Sequence, residues 1–412
     1  MQIRLVPGLL LVLAAACAAP PEPPVDDPTP NWYRDVEPIV SARCAGCHTA
    51  GAIGPFALDS YTAAVEHAAP MADAVKNRRM PPWMPSGDCQ SYMGDRRLAQ
   101  EEIDALVGWA EAGTPLGDPK FSVQQALNTT DGLAWVDKTI GPDAAYTPST
   151  ARTDDYRCFQ LDPQLTGARD LIGFEVEPGV RSQVHHVLLY SVTSAEAQAL
   201  DDAAPGAGWP CFGGPGTDAP KMVGGWVPGT GAVRFPGQTG VTVYGGDVLI
   251  MQVHYNIASG APAPDRTLVN LQYSRNPVPY HAQMLPLVQK RFTIMPNELG
   301  ATAEVEFQSP VDATVWGVVP HMHTRGKSIK VEMTPPATVS APNTCLVNVP
   351  KWDFQWQQFY FFKDRTGLPV EQDWSFKLTC TWDNPTDKTV RWGEGTDDEM
   401  CLAFVYVTGR VD

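Results

Sequence analysis

The N-terminal part of the chain has the hydrophobic spacing of α-helices. In residues 98–112 the apolar positions fall on one face of a helix, and Gly113 provides a stop signal. The residues of this face are Ile103, Leu106, Val107 and Ala110. The pattern predicts a small all-α domain over residues 31–118.

Beyond Gly117 the pattern changes to short β-rich runs separated by Gly and Pro. The clearest runs are Val187–Val192, Val248–Tyr255, Ala303–Phe307 and Phe376–Thr381. Such spacing is typical of antiparallel sandwiches, and the stretch is long for a single one. After a linker of residues 119–150 we therefore predict two all-β, jelly-roll-like sandwiches, residues 151–282 and 283–412.

Residues 1–17 have the pattern of an export signal, with one basic residue, a short apolar stretch and small residues before Cys17. The apolar stretch is too short to span a bilayer. Its end, AAAC, resembles a bacterial lipobox in which Cys17 is acylated, and an ordinary secretory peptide is the alternative. Pro-rich residues 18–30 then form a spacer. We predict an exported lipoprotein, periplasmic or at the cell surface, held to a membrane by its lipid.

The residue after the acylated cysteine bears on which membrane holds the protein. Ala18 follows Cys17, and the absence of an Asp there favours the outer membrane if the host has two. The formal net charge of -16, from 30 basic and 46 acidic residues, argues against a nucleic-acid partner, because a phosphate backbone would be repelled.

A haem-attachment motif stands near the start of the predicted all-α domain. Cys44 and Cys47 have the spacing at which two thiols add to haem vinyl groups, and His48 is then the axial ligand. A thioether as second axial ligand suits an electron carrier, and Met80, held between an arginine and two prolines, is the candidate. The motif predicts one covalently bound haem c in a cytochrome c domain.

Three of the nine cysteines have roles other than disulfide bonding, which leaves an even number that can pair. Cys17 takes the lipid, and Cys44 and Cys47 take the haem. Because disulfides persist outside the cytoplasm, the remaining six predict up to three disulfides. These six are Cys89, Cys158, Cys211, Cys345, Cys380 and Cys401.

Five of the eight histidines stand at three places in the chain: His185 with His186, His254 alone, and His321 with His323. Residues two apart on a strand point to the same face, so His321 and His323 can bind one metal. Neighbouring His185 and His186 point to opposite faces of a regular strand, so joint ligation with His254 needs a β-bulge there. Imidazole suits several metals, whereas an added thioether ligand favours copper.

These groups, with the residues around them, carry a family resemblance. VHHVLL at 184–189, QVHY at 252–255, HMHTRGK at 321–327 and DDEMC at 397–401 resemble the copper type II, ascorbate-dependent monooxygenases. The matching segments occur in order over roughly residues 150–412. The resemblance implies two copper ions, one held by His185, His186 and His254.

The second copper site implied by the resemblance is the catalytic one, where O₂ binds, with His321, His323 and Met400 as ligands. The resemblance also implies disulfides between Cys380 and Cys401 and between Cys158 and Cys211. Cys89 and Cys345 then remain, and whether they pair with each other stays open at this point.

The activity implied by the resemblance is hydroxylation of a C–H bond with O₂, by a copper type II monooxygenase. We expect the fused haem domain to supply the electrons, replacing or supplementing ascorbate. A periplasmic electron donor is a further candidate partner. Val319, Leu402 and Phe404 replace the Arg, Asn and Tyr of peptide-amidating relatives. A carboxylate would be unpaired there, so we expect a small, fairly apolar organic substrate. The alternative is a non-catalytic haem and copper lipoprotein that transfers electrons or binds copper.

Overall fold

The computed structural model describes residues 28–123, 132–258, 260–364, 366–393 and 397–409. The predicted signal peptide with Cys17 and most of the Pro-rich spacer lie outside them. No described helix is long and apolar enough to cross a membrane.

The helices are short. A π-helical turn, Trp32–Val36, precedes the first of them, and 3₁₀ turns occupy Pro119–Phe121 and Phe354–Trp356. The α-helices are α1 (Glu37–Arg43), α2 (Tyr61–Glu66), α3 (Ala68–Lys76), α4 (Gln100–Glu111) and α5 (Ser194–Asp202).

The strands follow in two series. Those of the first half are β1 (Lys138–Ile140), β2 (Asp154–Leu161), β3 (Arg169–Glu177), β4 (Val184–Thr193), β5 (Trp209–Pro210), β6 (Lys221–Trp226), β7 (Val233–Arg234), β8 (Thr239–Val243), β9 (Asp247–Asn256) and β10 (Leu268–Tyr273). Those of the second half are β11 (Tyr280–Val288), β12 (Thr293–Ile294), β13 (Leu299–Gln308), β14 (Ala313–His321), β15 (Gly326–Thr334), β16 (Thr344–Val349), β17 (Tyr360–Phe361), β18 (Leu368–Val370), β19 (Ser375–Asp383), β20 (Val390–Arg391) and β21 (Leu402–Gly409).

One ten-stranded sheet runs through both halves of the molecule. Its order is β1-β10-β3-β8-β11-β21-β14-β17, with β7 on β3 and β18 on β14. The halves meet where β11 pairs in parallel with β8, Tyr280 opposite Thr239 and His281 opposite Gly240. The predicted boundary after residue 282 therefore falls inside β11, and β1, within the predicted linker, pairs with β10.

Each half of this sheet packs against a smaller sheet. The five-stranded sheet β5-β2-β9-β4-β6 covers the first half, and the four-stranded sheet β13-β19-β15-β16 covers the second. Strand β19 alternates between buried and half-buried residues, as expected of a strand with one face toward the core. Strand β9 is buried almost throughout, because α5 packs on the face of its sheet that turns away from the core.

The prediction of an all-α cytochrome c domain at the N-terminus is wrong, and the fold class is corrected to a mainly β molecule. The chain is 37% strand and only 15% helical, and the longest described helix, α4, has twelve residues. The N-terminal helices share a small apolar core. Between α3 and α4, however, the chain leaves the helices and packs on the second half.

This intervening segment is part of the second half's core, which explains the correction. Met84 and Tyr92 are buried in that core, and Tyr92 forms a β-bridge with Phe362. The Tyr92 hydroxyl donates to the Leu346 carbonyl at 2.9 Å. A disulfide between Cys89 and Cys345 fixes the contact covalently. Helical spacing in one stretch of sequence could not reveal these long-range contacts.

Candidate metal centres

Three histidines converge at one end of the five-stranded sheet. His185 and His186 lie on β4, and His254 lies opposite them on β9. The pairing slips between Val184 and His186, so the predicted bulge at His185 is confirmed. The His186 Nδ1 atom is 3.3 Å from Nδ1 of His185 and 3.3 Å from Nδ1 of His254.

The spacing of these nitrogens fits a metal ion. Potential ligand atoms of the three side chains all lie within 4.8 Å of one another. Imidazole nitrogens at about 2 Å from a tetrahedral metal are about 3.3 Å apart, which matches the two shorter separations. Burial, with the neighbouring His254, lowers the pKa of His185 to about 3, and burial holds the pKa of His186 well below its usual range. The imidazoles of His185 and His186 are therefore neutral, as metal ligands must be.

Asp154 orients this cluster from outside. The His254 Nε2–H group donates to the Asp154 carboxylate at 2.8 Å, which leaves the lone pair on Nδ1, the atom that faces the other two histidines. The hydrogen bond from His254 lowers the pKa of Asp154, and partial burial opposes this shift without cancelling it. The Tyr156 ring stacks on His254 with ring centroids 4.3 Å apart. Asp154 and Tyr156 both lie on β2, next to β9.

A second pair of histidines lies at the end of β14. The rings of His321 and His323 are 5.2 Å apart and nearly perpendicular. His321 Nδ1 donates to the side-chain oxygen of Gln357 at 2.5 Å, and His323 Nδ1 donates to the carbonyl of Asp398 at 3.0 Å. Both histidines therefore carry their lone pair on Nε2. Burial lowers the pKa of His321 to about 3.

Glu399 holds the loops of this second pair together, although it is no ligand itself. Its buried carboxylate accepts from the backbone N–H groups of His323 (2.9 Å), Arg325 (2.6 Å) and Met400 (3.3 Å). It also accepts from the Trp382 indole at 3.0 Å. Burial raises the pKa of Glu399, and these four donors oppose that shift.

Met400 belongs to the same region by strand register. His321 pairs with Leu402 between β14 and β21, and Met400 comes two residues before Leu402. The backbone N–H of His323 binds the carboxylate of Glu399, the residue next to Met400. The Met400 side chain is buried, and a disulfide between Cys401 and Cys380 ties the neighbouring residue to β19. Two imidazoles and one thioether are thus available here, and thioether sulfur favours copper.

A cavity of about 460 Å³ lies between the two groups of histidines. Its wall includes His186 from the first group and His321 and His323 from the second. Phe212 lies between the two groups of histidines. Its ring centroid is 4.6 Å from that of Tyr156, which stacks on His254, and 5.6 Å from that of His323. Both candidate metal centres therefore face a common space.

The second half of the chain matches a known family. Residues 280–411 match the copper type II ascorbate-dependent monooxygenases, over the C-terminal domain of that family. This part of the chain is therefore similar to the C-terminal domain of that family. It covers β11 to β21, with His321, His323 and Met400. The three-histidine cluster lies outside the matched residues.

Other comparisons add little. No curated protein matches the chain. Among solved structures, the chain is similar to peptide-N(4)-(N-acetyl-beta-D-glucosaminyl) asparagine amidase, with 9% identity, a TM-score of 0.28 and coverage of 67% of this chain and 97% of that one. It is also similar to the major capsid protein P2 from bacteriophage PM2, with 10% identity, a TM-score of 0.27 and coverage of 67% and 98%. Neither likeness is close enough to support a conclusion.

The positions that differ from peptide-amidating monooxygenases face the common cavity. Val319, Leu402 and Phe404 all contribute to its wall. The rest of the lining is largely apolar, with Leu188, Met222, Trp226, Phe354, Phe359 and Phe361. Among the described lining residues, Arg234 carries the only charged side chain.

The predicted haem-attachment residues form one compact turn after α1. The backbone N–H groups of Cys47 and His48 both donate to the Cys44 carbonyl, at 3.1 and 2.9 Å. The two thiols are not joined, and burial raises the pKa of Cys44 to about 12. His48 Nδ1 donates to the Phe56 carbonyl at 3.0 Å. Met80 follows α3 and is half-buried, and its role stays a prediction.

All three disulfides are present. Cys158 pairs with Cys211 and Cys380 with Cys401, as the resemblance implied. The pairing of Cys89 with Cys345, left open by the sequence, is also formed.

Asp154, Gln357 and Glu399 bind the candidate ligand residues, and no ligand pattern in the sequence singled them out. A single Asp, Gln or Glu outside a ligand pattern carries no spacing signal, although Glu399 did stand inside the DDEMC segment.

Proposed function

We propose that the protein is an exported, copper-dependent monooxygenase that hydroxylates a C–H bond of a small, largely apolar organic molecule with O₂. The observation that carries the proposal is the common cavity, which has histidines of both candidate centres in its wall. A copper-storage protein needs neither two unlike ligand sets nor a shared space for a third molecule.

The two centres have different ligand sets. His185, His186 and His254 would hold one copper, and His321, His323 and Met400 would hold the other. Copper there supplies redox chemistry in which one atom of O₂ enters a C–H bond and the other leaves as water, with two electrons and two protons from a reductant.

The remaining residues position the ligands and the substrate. Asp154, Gln357 and the Asp398 carbonyl fix which nitrogen of each imidazole faces the metal. The apolar wall excludes water and favours an apolar substrate, since a carboxylate bound beside Val319, Leu402 and Phe404 would lack a partner.

Covalent haem is a further part of the proposal. The thiols of Cys44 and Cys47 would add across the two haem vinyl groups, each forming a C–S bond and giving its hydrogen to the adjacent carbon. The bond from His48 Nδ1 to the Phe56 carbonyl supports this assignment, because it leaves the Nε2 lone pair available to bind iron. Met80 would be the second iron ligand. The haem would replace or supplement ascorbate as the source of electrons. Export and a lipid on Cys17 remain proposals from the sequence.

The first test is metal analysis with copper EPR on the haem-loaded protein, beside Met400→Leu, which keeps the volume but removes the sulfur. We expect two type II coppers in the wild type and loss of substrate-dependent O₂ consumption in the variant, while copper at the three-histidine site is kept. Met295→Ala, at an exposed methionine, is the control and should behave as wild type. Zinc in both sites, or no copper, would contradict the proposal.

The alternative function is a non-catalytic carrier of electrons or copper, and turnover separates the two. A monooxygenase consumes reductant and O₂ together only when an organic substrate is present. Electron passage between haem and copper without O₂ consumption, whatever apolar compound is added, would favour the carrier.

A further inference from the structure

Arg96 lies between the CxxCH turn and the wall of the common cavity. Gly229 marks the contact, because a Cβ atom on this glycine would lie 3.0 Å from the Cys47 Sγ atom and 3.7 Å from Nη1 of Arg96. Gly229 has a φ of +79°, which further favours glycine. Its neighbours Val227 and Thr230 line the cavity.

The half-buried Arg96 side chain has no counter-ion among the described residues. Its Nη2 atom is buried and has no hydrogen-bond partner, and no described residue forms an ion pair with Arg96. Burial lowers the pKa of Arg96, and the groups that oppose this shift, Cys47 and Tyr360, are not carboxylates. A buried, unpaired charge costs several kcal/mol, so an anion at this position would relieve a real penalty.

A second donor without a partner stands nearby. The Trp83 indole nitrogen is buried and has no hydrogen-bond partner. Its ring contacts Tyr360, with ring centroids 5.5 Å apart, and Tyr360 is one of the groups that act on Arg96. Trp83 also follows Met80 by only three residues. One cation and one neutral N–H donor are therefore available near Tyr360.

We propose that Arg96 and Trp83 bind the propionate carboxylates of a haem joined to Cys44 and Cys47. The inference rests on the proposed haem attachment. Attachment uses the vinyl groups of haem and leaves its two propionates, which are anionic at neutral pH. A guanidinium binds a carboxylate through strong, charge-assisted hydrogen bonds, and an indole N–H can add one more.

The same contact sets the haem beside the cavity wall. Cys47 Sγ and Arg96 both touch the loop at Gly229, so haem bound by Cys47 and Arg96 lies against the loop that carries Val227 and Thr230. A change at Arg96 would then alter the electron source without altering any copper ligand. This separation makes the inference testable independently of turnover.

The experiment compares the haem midpoint potential of the full, haem-loaded protein with that of Arg96→Gln, Arg96→Lys and Arg97→Gln. Loss of the positive charge favours oxidised haem, so Arg96→Gln should lower the potential by about 59 mV, equal to a tenfold change in a one-electron equilibrium. Its potential should also rise as pH falls through neutrality, because the propionate protonates more easily. Arg96→Lys should recover most of the wild-type potential.

Arg97 is the matched control, since its exposed side chain is already paired with Asp95. Trp83→Phe keeps the ring contacts and should shift the potential in the same direction by less than Arg96→Gln does. Visible spectra and copper content of each variant check folding. Equal potentials for Arg96→Gln and Arg97→Gln, with haem attached, would overturn this inference alone. If the wild type carries no covalent haem, the haem proposal and this inference both fall.

Discussion

Each candidate metal centre has one buried or half-buried carboxylate that orients ligands without being one. Asp154 acts on a single imidazole through one strong hydrogen bond, whereas Glu399 acts on backbone through three N–H groups and an indole. Removing the first should therefore affect affinity for metal, and removing the second should affect stability as well.

Asp154→Asn should weaken copper binding at the three-histidine site about 10- to 100-fold, because the amide no longer holds the His254 tautomer as strongly. Competition with a copper chelator measures the affinity. Asp155→Asn changes the neighbouring carboxylate on β2, which binds the Tyr146 hydroxyl instead, and it should leave copper affinity unchanged. Equal affinities for the two variants would refute the role given to Asp154.

Glu399→Gln should lower the free energy of unfolding by about 2–3 kcal/mol, because the amide nitrogen faces N–H groups that have no other acceptor. Urea denaturation gives the value, and EPR should report disturbed copper only at the His321 site. The control is Glu304→Gln, at an exposed residue paired with Lys377, which should cost less than about 1 kcal/mol. A loss at Glu399 no larger than at Glu304 would contradict the structural reading.

The ligands themselves were predictable from sequence, and their supporting residues were not. His185, His186 and His254 form a conspicuous group in a chain with eight histidines, and their convergence follows from strand periodicity plus one bulge. Asp154 lies 100 residues from its partner His254, and only the pairing of β2 with β9 brings the two together.

At the level of elements, the turn between β14 and β15 fixes the second pair of histidines. Gly326 begins β15, and the Trp352 ring packs directly on its Cα, because an added Cβ would lie 2.5 Å from Trp352 Cδ1 and 3.0 Å from Met322 Cβ. The Trp352 indole donates to the His323 carbonyl at 3.1 Å. A shift of the Trp352 ring would therefore move the backbone of His323.

Gly326→Ala should cost about 1–3 kcal/mol through overpacking and should lower activity more than copper content. Thermal unfolding and substrate-dependent O₂ uptake provide the two measurements. Gly167→Ala is the control, because a Cβ there meets no atom within 4 Å. A Gly326 variant as stable and active as the Gly167 variant would show that Trp352 can move freely.

Single elements followed the sequence pattern closely. The four β-rich runs lie within β4, β9, β13 and β19, and the helical pattern at 98–112 became α4. The error lay in how the elements assemble, because the N-terminal helices were predicted to form a separate all-α domain. The residues between α3 and α4 have no periodicity of their own, and their contacts with the second half span more than 250 positions of sequence.

For the whole molecule, the Cys89–Cys345 disulfide is what fastens the N-terminal segment to the second half. It closes a sequence separation of 256 residues, against 53 for Cys158–Cys211. Cross-links over long loops remove more chain entropy from the unfolded state. The segment also depends on its buried side chains, Met84 and Tyr92.

Replacing both Cys89 and Cys345 with Ala should lower the free energy of unfolding by about 2–4 kcal/mol and expose the segment between α3 and α4 to protease. Limited proteolysis followed by mass spectrometry locates the cleavage. The matched control replaces Cys158 and Cys211, and it should lose stability without cleavage in that segment. Protection of the segment in both variants would show that packing alone holds it.

The continuous ten-stranded sheet has a consequence for any attempt to isolate the family-matched part. Residues 280–411 cut out alone would leave β11 as a bare edge and strip the cover from Trp316, Phe361 and Tyr406, which pack in the first half's core. Cys345 would also become a lone thiol. Unprotected edges and aromatic patches recruit other chains, so this fragment should self-associate and precipitate. The second half therefore needs the first half to stay soluble.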